Sequence, residues 1–186
     1  KIAWQENIFL LPILLAVAFV PLIVYLTVVP VDASVQEFWK SCASNSDFFS
    51  ATKAIWIMIL GLFALLATIA SPKVRLADWQ KLRKDPVILP LVVYTLFVIL
   101  SSLLSAYKSV ALWCFPDRQE GMFVLLAYAI FFLATYLLVK KEKQIQLVLA
   151  AIGFSTIVAG LIGVFQFFGL AFFRSNFGKL MILPQA

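Results

Sequence analysis

The chain has 186 residues, 63% of them hydrophobic and 13% charged, with a formal charge of +6 and no histidine; its mean hydropathy is +1.02. A soluble domain lies nearer half apolar and a quarter charged, so this composition reads as an integral membrane protein. The missing histidine removes His-based acid–base chemistry, His metal sites and His pH switches from these residues. The basic excess is the charge that membrane proteins gather on one side, not a nucleic-acid signal.

In chain order, Ile8 to Val29 is the first expected span, about 22 residues and long enough for a bilayer core. Pro12 is tolerated in its first turns, whereas Pro21 is expected to kink it. The run is too long for a signal peptide, and no small-residue cleavage site follows it. Pro30 to Lys53 reads as a polar loop in which Phe38-Trp39 and Phe48-Phe49 can lie at the membrane interface. Ala54 to Ala70 is the second span. The loop after it sets Lys73, Arg75, Lys81, Arg83 and Lys84 against Asp78 and Asp85, the strongest orientation signal in the chain.

Val87 to Ala106 is the third span, and its closing serines, Ser101, Ser102 and Ser105, read as backbone-bonding or packing residues. Met122 to Val139 is the fourth, stopped by the basic turn Lys140-Lys141-Glu142-Lys143. Gln144 to about Phe168 is the fifth. Its glycines lack GxxxG spacing, so any close packing there rests on single residues such as Gly153, Gly160 and Gly163. Gly169 to Ala186, with Arg174 and Lys179, reads as the beginning of a re-entrant or interfacial segment. The chain as a whole reads as a piece of a longer protein, an N-terminal part of a multispanning domain.

The expected fold is therefore an all-α, polytopic transmembrane helix bundle of five spans. With the N-terminus cytoplasmic, nine Lys and Arg residues fall inside and six outside, which fixes the orientation. Cys42 and Cys114 then both face outward, where a disulfide is permitted but no distance supports one.

The stretch Tyr107 to Gly121, YKSVALWCFPDRQEG, carries Lys108, Asp117, Arg118 and Glu120 between two spans. A lipid-facing helix does not hold so many charges cheaply, so this is an interfacial loop or a dip lined by protein. Pro116 keeps Phe115 out of the helix, and Gly121 can open or close a turn. The planar fork of Arg118 suits a phosphate or diphosphate. It equally suits an ion pair with Asp117 or Glu120, or anchoring at the headgroups. Arg174 and Lys179 form a second outward set of cations, for which headgroup anchoring is the plainer reading. P-loop, GxGxxG, GxSxG and HExxH motifs are all absent from the sequence, and two cysteines alone make no zinc site.

The run Leu103 to Trp113, LLSAYKSVALW, followed by Arg118-Gln119-Glu120-Gly121, resembles the N-terminal half of the O-antigen ligase and O-antigen polymerase family. The resemblance covers about residues 85 to 180, with the first two spans similar in pattern only. It implies a bacterial inner-membrane, multi-pass glycosyltransferase of cell-envelope polysaccharide biosynthesis. Such an enzyme takes glycan from undecaprenyl diphosphate at the outer face and passes it to a hydroxyl acceptor, either a glycan or a lipid-linked sugar. Arg118 would grip the diphosphate as charge develops on the leaving group. Glu120 would hold the arginine, Gly121 would let the backbone turn into the helix, and Lys108 and Arg174 would assist binding. No cofactor or metal is implied. The family's general base is a histidine in its C-terminal half, so no catalytic residue is expected within this chain. The competing reading is a non-catalytic transport or assembly protein, such as a flippase subunit, which the absent histidine favours.

Overall fold

A computed structural model describes residues 7–25, 27–30, 44–47, 49–72, 74, 76–82, 84–115 and 118–168. The expectations for Phe38-Trp39, Cys42, Phe48, Asp117, Arg174 and Lys179 lie outside the described residues. Among the described residues the fold is all-α apart from one short antiparallel strand pair.

The first apolar run is not a single helix. A 3-10 turn, Ile8–Leu10, leads into α1 (Leu11–Ala18), and a second 3-10 turn, Val20–Leu22, closes it. Pro21 cannot donate to the carbonyl one α-turn back. The backbone tightens instead, with Leu22 donating to Phe19 O at 3.0 Å and Ile23 to Val20 O at 3.2 Å. Ile23 is already extended. The β-branched Val24, Thr27, Val28 and Val29 favour that conformation over helix. Pro21 therefore ends the helical stretch rather than kinking it, and the expected span Ile8 to Val29 is corrected to Ile8–Leu22. Thr27–Pro30, mostly within the expected first span, is strand β1, antiparallel to β2 (Ser44–Asp47) in the expected polar loop, with Thr27 opposite Asp47.

The remaining helices follow the expected spans to within a few residues: α2 (Ala51–Ala70), α4 (Ile88–Leu104), α6 (Met122–Leu138) and α7 (Glu142–Phe167). Two short helices, α3 (Leu76–Leu82) and α5 (Lys108–Trp113), occupy connections between them. By length and composition α2 and α7 are able to cross a membrane, with 20 and 26 residues and mean hydropathies of 2.2 and 2.4. Helices α4 and α6 are apolar but only 17 residues long, a rise of about 25 Å.

Helices α2 and α6 form the closest pairing. A Cβ on Gly61 would stand 3.0 Å from Ala127 Cβ, and Ala64, Ala127 and Ala134 are all buried. This small-residue seam lets the two backbones approach. Leu10 and Ile13 close over Ala64, Ala134 and Leu138 to complete the core. Ala54 and Val124 line one cavity, Gly61 lies against Ala127, and Ala64 shares a core cluster with Ala134 and Leu138, so α2 and α6 run in the same direction.

Helix α7 is the contrast. Only Gln144 and Ser155 of it are buried, and it touches the α1 region through Phe154, edge-on to Phe19 with centroids 6.1 Å apart. Gly153, Gly160 and Gly163 face open space, so the glycines expected to support close packing do not do so. Gly61, in the second span, takes that role.

Candidate anion-binding site

The site lies where α2 and α6 begin. Asp47 sets the start of α2, three residues earlier than the apolar pattern suggests. Its Oδ1 accepts from the amides of Phe49 and Ser50, both at 2.8 Å, and its Oδ2 from the amide of Ala51 at 3.0 Å and from the Ser50 hydroxyl. These satisfy amides that a helix start leaves unpaired. Burial pushes the Asp47 carboxyl up, but the Ser50 hydroxyl and the three amides outweigh it and hold the group below its ordinary value of 3.8. That cap fixes the first turn of α2, which carries Lys53.

The loop before α6 is shaped by backbone constraint. Helix α5 ends at Cys114, whose amide bonds to Val110 O at 2.7 Å and whose φ is 68°. Beyond Pro116, the amides of Arg118 and Gln119 both return to Phe115 O, at 3.1 and 3.0 Å. Gln119 has φ 54°. Cys114 and Gln119 are both non-glycine residues in a costly region, which persists only where surrounding contacts impose it. Gly121 follows in an ordinary extended conformation. Its need is steric: a Cβ there would overlap the carbonyl of Leu112 and stand 2.6 Å from Trp113 N. The turn-forming role expected for Gly121 is thus replaced by close approach of α5, reinforced by Trp113 against Phe123 with ring centroids 5.0 Å apart.

A cavity of about 470 Å³ results, lined by Lys53, Ile57, Arg118, Gln119, Glu120 and Tyr128 among others. Of the residues singled out in the sequence, Arg118 and Glu120 meet here. Both are exposed, and among the described residues no hydrogen bond or ion pair engages either side chain. The expected Arg118–Glu120 pair is not formed. Lys108 goes elsewhere: its ammonium donates to Leu103 O and so closes the carbonyl end of α4. Arg174 lies outside the described residues. Ser105 does what the serines were expected to do, its hydroxyl accepting the Tyr107 amide at 3.2 Å. Cys114 is a free thiol.

Lys53 is the cavity-lining cation that the sequence reading missed. It counts there only as one outward cation near the start of a span, and 65 positions separate it from Arg118. The usable signal was its position on the same side as Arg118, at the mouth of an apolar helix. In the structure it is half-buried, donates to Pro21 O at 3.0 Å and lies 5.7 Å from the Phe49 ring centroid. The cavity thus presents two cations and one carboxylate between apolar walls. Such an arrangement can hold an anion through charge-assisted hydrogen bonds. Among the described residues no cluster of three or more His, Cys, Asp or Glu could hold a metal. No family model matches the chain, and no curated protein or solved structure is significantly similar to it.

Proposed function

We propose that the chain is part of a multi-pass membrane protein, of five spans with its N-terminus cytoplasmic, that binds a diphosphate-linked lipid at its outward end. The observation that carries this reading is the guanidinium of Arg118, which has no ion pair among the described residues and lines a cavity at the start of α6. Such a planar fork of donors is suited to two phosphate oxygens. The apolar exposure of α7, which includes Ile145, Leu149, Ile157 and Leu161, supports a lipid surround, because that surface is costly to leave in water.

Within that reading, the chain is the donor-binding half of an O-antigen ligase- or polymerase-like glycosyltransferase of the bacterial inner membrane. Undecaprenyl diphosphate-linked glycan is the donor, and a glycan or lipid-linked sugar hydroxyl is the acceptor. Arg118 binds the diphosphate and stabilises it as the leaving group. The general base is supplied by residues outside this chain. Glu120 lines the same cavity but forms no ion pair with Arg118, so it does not clamp the arginine. The second reading, a lipid or glycan transport or assembly protein, uses the same site without a transfer step and is favoured by the absence of histidine.

The test is Arg118→Ala in the native protein, read by glycan transfer in cells and by undecaprenyl diphosphate binding in neutral-lipid nanodiscs. Affinity is expected to fall about 10- to 100-fold, the range for losing hydrogen bonds to a charged group. Binding unchanged in this variant overturns the reading. Glycan transfer retained in this variant overturns the catalytic role of Arg118.

A further inference from the structure

We infer that Lys53 is the second anion-binding cation of the site, and that Lys53 and Arg118 together select a diphosphate over a monophosphate. The inference rests on the diphosphate reading above. It starts from how the Lys53 charge is left. The ammonium is half-buried, yet among the described residues it forms no ion pair; its contacts are a neutral carbonyl, Pro21 O at 3.0 Å, and the face of Phe49. Asp47, the carboxylate whose field it feels, is occupied by four donors at the start of α2. Desolvating a cation without an opposing charge is costly, and a purely structural lysine here would gain by pairing. Glu120, the carboxylate that lines the same cavity, does not supply that pair.

Two unpaired cations from different elements, one on α2 and one in the loop before α6, thus converge on one cavity. Each can take one phosphate of a diphosphate, whereas a monophosphate offers a single group for both. Binding draws the Lys53 ammonium from Pro21 O toward the ligand. Because that contact ties the turn after α1 to α2, occupancy of the site also loosens the turn.

The experiment measures undecaprenyl diphosphate and undecaprenyl monophosphate binding to the full chain in phosphatidylcholine nanodiscs, for the parent and for Lys53→Gln, Lys53→Met, Lys53→Arg and Arg118→Ala. Lys53→Gln keeps a donor for Pro21 O without the charge, so it separates tethering from anion binding even if Lys53→Met fails to fold. The expected result is an affinity loss of about tenfold for diphosphate in Lys53→Gln. A smaller loss is expected for monophosphate, and near-parent binding in Lys53→Arg. Inorganic pyrophosphate, which lacks the lipid, is expected to lose affinity in the same variants. Lys53→Gln at parent affinity while Arg118→Ala is weakened overturns the role of Lys53 and leaves the proposed function standing. Both variants at parent affinity overturn both. Equal losses for monophosphate and diphosphate in Lys53→Gln overturn the selectivity.

Discussion

At the end of the bundle where α6 stops and α7 starts, several charged and polar groups bond to one another. Lys140 meets Asp78 at 3.0 Å, and the Tyr136 hydroxyl donates to Asp85. The Gln144 Oε1 accepts the amides of Lys140 and Lys141, each at 3.1 Å, while its Nε2 is buried without a hydrogen-bond partner among the described residues. At the end where α2 and α6 start, Asp47 is likewise consumed, but Arg118 has no partner among the described residues and Lys53 has only a carbonyl and a ring. Pairing holds helices and connections together, whereas a cation left without a carboxylate retains its field for something that arrives. On the proposed reading, the difference separates an end that anchors from one that binds, although both are rich in charge.

The comparison breaks most severely if the loop can move. Gly121→Ala puts a methyl against Leu112 O, so α5 or α6 must shift, with an expected loss of about 3 kcal/mol. Thermal unfolding of the purified protein in detergent checks it, and an unchanged Tm would mean that the close approach does not constrain the site. Asp47→Ala removes the cap of α2 and should cost about 1–2 kcal/mol. The sign of its pH dependence follows from its lowered carboxyl pKa. The contribution is present above the unfolded value, near 3.8, and is lost as pH falls through the lower folded value. The parent should therefore lose stability in that acidic window, and Asp47→Asn should show a flatter profile there.

At the anchoring end, Tyr136→Phe removes the hydroxyl that, ahead of the Val87 amide, holds the Asp85 carboxyl below its ordinary range. A Tm drop smaller than that of Asp47→Ala is expected, with a weaker acid dependence than the parent and no change in ligand affinity. A change in affinity would join the two ends that the comparison separates. The smallest effect belongs to Lys140→Ala, whose partly exposed pair with Asp78 should be worth no more than about 0.5 kcal/mol. A larger loss, read by the same melts, would show the pair to be more than a surface contact.

Much of this fold was legible because lipid-scale apolar runs bounded by charge are a strong signal. The second to fifth expected spans lie close to α2, α4, α6 and α7. The first misled because hydropathy does not distinguish β-branched residues in a helix from the same residues in a strand, and Pro21 tips Ile23 onward toward the latter. Arg118 and Glu120 were legible as a pair in sequence, since both sit in one charged connection. Their lack of mutual contact was not, because it depends on how Gln119 turns between them at φ 54°. Lys53 was hidden for a different reason: it reaches the site only through the lateral pairing of α2 with α6, which periodicity does not reveal. Gly61 and Ala127 carry that pairing, while the more conspicuous glycines of α7 carry none.

The shared direction of α2 and α6 has an electrostatic consequence of its own. The peptide dipoles of a helix add to roughly half a positive elementary charge at its amino end. Here two such ends open on the same side of the bundle, beside one cavity. The Asp47 carboxylate offsets the field of α2, but Gly121 leads into α6 without a side-chain cap. The backbone itself therefore favours negative charge at that mouth, and some of this bias would survive neutralisation of both Lys53 and Arg118.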